Sequence, residues 1–248
     1  MNKVDRYRET LRTLAEWDSF LLRESGLPGR RGNLELARAV AEEGDEALFK
    51  RYRTYDAEKA PTNSPYEFLA FCGVLGLGQR LARGDREAMQ DLRPYASDPR
   101  WRIREAVAMA LQRLGRVNMD ALLEAMARWS GGNLLERRAA AAALCEPDLL
   151  GERGEVERVL EILDRITASM QEVEDRRSEP LRVLRKGLGY CWSVAVVGYP
   201  EVGKRMMERW FDSDDRDVCW VMKQNLRKKR LERMDAEWVS AARHKLGM

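Results

Sequence analysis

The stretch Ser97–Gly115, SDPRWRIREAVAMALQRLG, most constrains what this chain can fold into. Asp98 is placed to cap a helix that opens with Pro99, a residue with no amide hydrogen to leave unpaired there. Ile103, Ala106, Val107, Ala110, Leu111 and Leu114 follow at helical spacing as one apolar stripe. Arg102, Arg104, Glu105, Gln112 and Arg113 fall on the other faces. Such a helix cannot bury its stripe alone, so the fold depends on what packs against it.

The rest of the chain supplies more helices. Met119–Trp129 reads as an antiparallel partner of the first. Setting Arg104 on Arg137 aligns Ala106 with Ala139, Ala110 with Ala143 and Leu111 with Leu144, a shift of 33 residues, and leaves Ile103 opposite Glu136. Weaker echoes begin at Arg185 and Cys219. Upstream, Val4–Leu22 is amphipathic, Asn33 can cap LELARAVAEE, and a short helix after Gly44 carries Ala47, Leu48 and Tyr52. Ser64-Pro65-Tyr66-Glu67 has the form of a capping box. It opens a helix containing Gly73, Gly76 and Gly78. Each interior glycine costs about 1 kcal/mol against alanine, which predicts a compensating close approach by a neighbouring helix. Short helices are also expected from Asp85 to about Tyr95 and from about Asp235 to Lys245, with the last repeat over Asp215–Lys229. No alternating run is strong enough to predict a strand. The Asp-Pro turn, the branched residue followed by arginine, and the small-residue helix after them resemble a HEAT repeat. The expectation is an all-α, right-handed superhelix (α-solenoid) of five to seven HEAT-like helix pairs. It would form a single domain over 1–248, with an irregular charged segment near 171–179.

Composition narrows the function classes. Charged residues make up 34% and hydrophobic ones 44%, which fits a soluble, helix-rich protein, and a formal charge of +3 does not by itself imply nucleic acid. Arginine greatly outnumbers lysine. Cys72, Cys145, Cys191 and Cys219 are widely spaced in apolar patterns, so buried thiols in a reducing cytoplasm are expected rather than disulfides or zinc. The charged opening MNKVDRYRET does not read as a secretory segment. The longest apolar run, Phe68–Leu77, is about half of the roughly 20 residues a membrane span needs. His244 is the only histidine, which disfavours imidazole triads and histidine-rich metal sites, so no metal and no cofactor are expected.

Gly198 to Lys204 matches GxxxxGK. Arg205 stands where a P-loop needs serine or threonine for magnesium, and no later acidic strand completes the site. A helix ending near Val197, a turn at Gly198–Pro200 and a new helix through Met206, Met207 and Trp210 fit better, so no nucleotide is expected there. Seven tryptophans are the unusual feature. Trp17, Trp192 and Trp238 fit as plugs between helices, whereas Trp101 and Trp220 lie off the apolar stripes, near helix starts and basic residues. The run Lys223–Arg233 partly serves a helix dipole and would also suit phosphates. Gly29-Arg30-Arg31-Gly32-Asn33, ahead of a helix, reads as a solvated loop, with anion binding as the alternative.

Trp129-Ser130-Gly-Gly-Asn133-Leu-Leu135-Glu-Arg137-Arg138 resembles the Ser-x-Asn-x-Trp-x-Arg-Arg segment of the HEAT-like alkylpurine DNA glycosylases, a bacterial cytoplasmic repair family. That resemblance implies a concave basic face, Arg137 and Arg138 on the DNA backbone, and an acid four residues after a tryptophan, here Glu105 after Trp101. Leu135 replaces the motif tryptophan, glutamate replaces aspartate, and Lys223 stands where a later tryptophan precedes Leu226-Arg227. The chain therefore reads as a non-enzymatic binding module. Its concave face would carry Trp101, Arg104, Arg137, Arg138, Trp220, Lys223 and Arg227, and its partner would be a protein or DNA. The alternative is a repair protein of the glycosylase type, with Glu105 as the acid.

Overall fold

Every regular element in the computed structural model, which describes residues 1–248, is helical. The chain divides into two compact units, Met1–Val117 and Asn118–Met248. The first contains α1 (Lys3–Thr13), α2 (Asp18–Glu24), α3 (Leu34–Glu43), α4 (Glu46–Arg53), α5 (Pro65–Ala82), α6 (Glu87–Leu92) and α7 (Trp101–Val117). A 3-10 turn, Arg93–Ser97, links the last two. The second contains α8 (Met119–Trp129), α9 (Leu134–Leu144), α10 (Arg153–Ser169), α11 (Glu179–Gly198), α12 (Pro200–Glu208), α13 (Arg216–Leu226), α14 (Lys229–Met234) and α15 (Ala236–Lys245).

Each unit gathers around one long helix. In the first it is α5, which packs against α2, α3, α4, α6 and α7. Every residue from Glu67 to Gln79 is buried, as befits a helix that is apolar all round. The small residues make this possible. A Cβ at Gly73 would come within 2.8 Å of Tyr52 Cβ, and one at Gly78 within 3.0 Å of Ala110 Cα, while one at Gly76 would fall on the Phe49 ring. The glycines thus let α4 and α7 approach the α5 backbone, the compensation expected for their helical cost. Ser64 Oγ accepts the Glu67 amide, and α5 ends in a Schellman motif in which Gly84 adopts φ 85° and Asp85 N donates to Arg80 O at 3.0 Å.

The expected single helix over Val4–Leu22 is instead two. Leu14 turns extended, its amide closes on Leu11 O, and Trp17 Nε1 donates to the same carbonyl at 3.0 Å. The break frees Asp18 to start α2 and to accept from Arg51 and from Tyr52 Oη at 2.6 Å. Arg51 and Tyr52 hold the Asp18 carboxyl below the ordinary aspartate value, against the opposing effect of burial. A depressed folded-state pKa stabilises above the unfolded value and is lost as pH falls through the folded one. Asp18→Asn should therefore cost about 1 kcal/mol near neutral pH. The gap from wild type should close below about pH 4, which urea unfolding at the two conditions would measure.

The lead helix also begins later than expected. Asp98 Oδ1 accepts Arg100 N at 2.8 Å in the turn ahead of it, and α7 starts at Trp101. Arg100 is 3% exposed and donates to the carbonyls of Tyr55, Asp56 and Ala60, which ties the entry of α7 to the segment after α4.

In the second unit α11 is central, packing against α9, α10, α12, α13 and α14. Ser193–Val197 is helical, as expected, and Gly203 of α12 comes so near α11 that an added Cβ would lie 2.7 Å from Val196 Cα. Trp192 is fully buried and donates to Thr167 Oγ1 at 3.0 Å. Glu136, the mismatch to Ile103, has a local explanation: it closes a capping box with Asn133 at the start of α9. The expected final repeat over Asp215–Lys229 splits, because α13 stops at Leu226 and α14 follows after a short turn. Residues 170–178 between α10 and α11 are irregular. No helix is long and apolar enough to cross a membrane.

Candidate binding site

The first unit holds a cavity of about 190 Å³ walled by Leu27, Leu34, Phe68, Phe71, Trp101 and Met109. Its walls come from three places: the 26–33 loop with the start of α3, the first turns of α5, and one face of α7. Trp101 stands at the first position of α7 and is 46% exposed. Glu105, one turn further, lies on the same wall, so the tryptophan and the acid that the family resemblance paired line one cavity.

Buried ionic contacts hold this wall. Arg102 passes its guanidinium 4.4 Å from the centre of the Trp101 ring and pairs with Glu67 Oε2 at 3.0 Å. It also donates to Gly29 O at 2.7 Å and Asn63 Oδ1 at 3.2 Å. Both charged side chains are almost wholly buried, and Glu67 also accepts the Asn63 amide at 2.7 Å. Glu67 Oε1 and Arg102 Nε are left without partners. An unmade bond of this kind costs about 1–3 kcal/mol, so the pair secures the loop at a local expense.

Two of the loop's five amides are already taken within the fold. Gly29 N donates to Asn63 Oδ1, Asn33 N to Ser25 O, and Leu36 N to the Asn33 side chain at 3.1 Å. Between those two tied ends the side chains of Arg30 and Arg31 are exposed, as a solvated loop requires.

Arg104 does not face outward. It is 6% exposed and donates to Asp98 O at 2.7 Å and to Pro99 O, stitching the turn before its own helix. The remaining expected site residues lie in the second unit. Arg137 and Arg138 are half-buried in the first turns of α9; Arg137 Nε is buried without a partner, and the Arg138 stem packs at Gly187. Trp220 is half-buried, with Arg185 stacked 4.7 Å over its ring and its edge against Gly189. Arg185 in turn bonds Asp217, which with Asp215 also receives Arg176 at 2.7 Å. One face of Trp220 is therefore occupied by the protein's own cation. Lys223 is half-buried and Arg227 is exposed at the end of α13.

Sequence reasoning missed Tyr190. It is 42% exposed on α11, with Arg230 4.5 Å and Lys228 5.7 Å from its ring. Its place off the apolar stripe of α11 was the available signal. Asn225, inside the basic run, points the other way: it is fully buried, accepts Ser193 N and donates to Leu188 O, each at 2.8 Å.

Other groups are committed to structure. Lys204 of the GxxxxGK stretch sits in α12, bonded to Asp235 and 5.6 Å from the Trp238 ring. Burial pushes the Cys72 thiol up, and burial with the neighbouring Cys191 thiol does the same to Cys145, which keeps both in the unreactive thiol form. No cluster of metal-ligating side chains is present. Comparison of the chain with family models, curated proteins and solved structures finds no match.

Proposed function

We propose that the protein is a non-enzymatic binding module of HEAT type that holds a macromolecular partner on the face carrying Trp101. The observation that carries this reading is a tryptophan 46% exposed at an apolar cavity whose walls are fastened by buried bonds. Tryptophan beside a preformed pocket is the arrangement from which interfaces draw most of their binding energy. A photo-crosslinking residue at position 101, activated in an extract of the source cells, should give a protease-sensitive, nuclease-resistant adduct. Absence of any adduct would refute the module.

A second reading, a DNA-binding repair protein of the alkylpurine DNA glycosylase type, is favoured by Glu105 and Trp101 sharing one cavity wall. Tyr190 flanked by two cations would suit stacking and phosphate contact. This reading requires duplex affinity that falls steeply with salt. It also requires base release from alkylated DNA by wild type and not by Glu105→Gln. A nuclease-sensitive adduct at position 101 would favour it over the first.

A further inference from the structure

We infer that the Trp101 cavity is the anchor pocket for a protein segment that inserts one aromatic or branched aliphatic side chain and places carboxylates against Arg30 and Arg31. The inference rests on the binding-module reading and specifies its partner. Size sets the anchor. An apolar cavity of about 150 Å³ accepts a benzene ring, and this one measures about 190 Å³. Polarity sets the rest of the anchor, because Leu27, Leu34, Phe68, Phe71 and Met109 offer no hydrogen bond from their side chains.

The surroundings argue for a chain rather than a free small molecule. Trp101 remains 46% exposed outside a space that a single ring would fill. A ring-sized ligand would leave that indole in water, whereas a peptide crossing it would cover it.

Charge sets the flanks. Arg30 and Arg31 are both exposed on the loop that forms one rim. Arg31 meets only Glu35, at 3.7 Å, and Arg30 has no carboxylate within reach. Arg102, by contrast, is spent on Glu67. Glu105 on the α7 wall carries the opposite sign. The exposed cations therefore lie on the loop rim, and that is the side on which acidic residues of the bound segment belong.

Selection of random displayed dodecapeptides on the full-length protein tests this. The enriched sequences should share one large apolar residue with aspartate or glutamate clustered to one side. The commonest peptide, resynthesised, should bind Met109→Trp, which fills the cavity, at least about tenfold more weakly. It should bind Arg30→Glu/Arg31→Glu several-fold more weakly, and binding should weaken with salt. The loop variant changes only exposed side chains, so it stays informative even where Met109→Trp disturbs packing. Enrichment of no motif, a motif without acidic residues, equal binding to both variants, or free indole and toluene binding as tightly as the peptide would overturn the proposal. If it falls while a protease-sensitive adduct still forms at position 101, the binding module stands and only the anchor chemistry is wrong.

Discussion

Gly76→Ala should destabilise the first unit by roughly 3 kcal/mol, although alanine is the better helix former by about 1 kcal/mol. The added methyl would occupy the position of the Phe49 ring, and that ring is 1% exposed with nowhere to move. Either α4 must back away from α5 or the ring must leave its rotamer. Urea titration would measure the loss as a fall in midpoint at unchanged slope. Gly151→Ala is the control, since nothing lies within 4 Å of a Cβ there, and it should change stability little. In a Phe49→Leu background the Gly76→Ala penalty should shrink, because the clash is with one named side chain. A full penalty in that background would mean that the α5 backbone, not the ring, sets the limit.

Glu67→Ala is expected to cost about 3–5 kcal/mol, the usual result of removing one partner from a buried ion pair. It would leave the Arg102 guanidinium buried beside a void, with only Gly29 O and Asn63 Oδ1 to receive its protons. The pair itself need not be stabilising. Glu67→Leu/Arg102→Met should recover most of the loss, because well-packed apolar residues often replace such pairs at no net cost. It would not restore the bond to Gly29. Hydrogen exchange of the Gly29 amide should thus stay faster in the double variant than in wild type, even where global stability returns. Equal protection in the two would show that Asn63 alone fastens the loop. Because that loop forms one wall of the Trp101 cavity, the same variant should also weaken the peptide binding proposed for it.

Much of the helical layout was legible because helix ends are written locally. Asn33, Ser64, Asn133 and Asp235 each accept an amide within the following three residues, and each is recognisable from a few neighbours. The glycines of α5 were legible as an unexplained cost that demanded close packing. Boundaries failed where a distant residue decided them. The apolar pattern runs on through Val4–Leu22, yet Trp17 reaches back to Leu11 O and Asp18 is claimed by Arg51 and Tyr52. That Trp101 and Glu105 share one helix a turn apart was legible too, because spacing alone implies it. Phe68, Phe71 and Leu27 could not be added from sequence, because their helix and loop meet α7 only after folding.

By itself, the sequence determined that the chain is all helix and where most of its helices begin. Periodicity and capping depend on residues a turn or less apart, so they survive without knowledge of the fold. The tertiary structure alone decided which helices lie at the centre and which polar residues go inside. Arg100, Arg102, Arg104 and Asn225 all sit among residues that read as solvated, and all four are buried. Burying a polar group is unfavourable unless its bonds are met. Asp98 and Val221 meet part of the need of Arg100 and Asn225 locally, but Arg100, Arg102 and Asn225 each also depend on a carbonyl or carboxylate more than thirty residues away. No local pattern encodes a partner at that distance; only the packed chain brings it within reach.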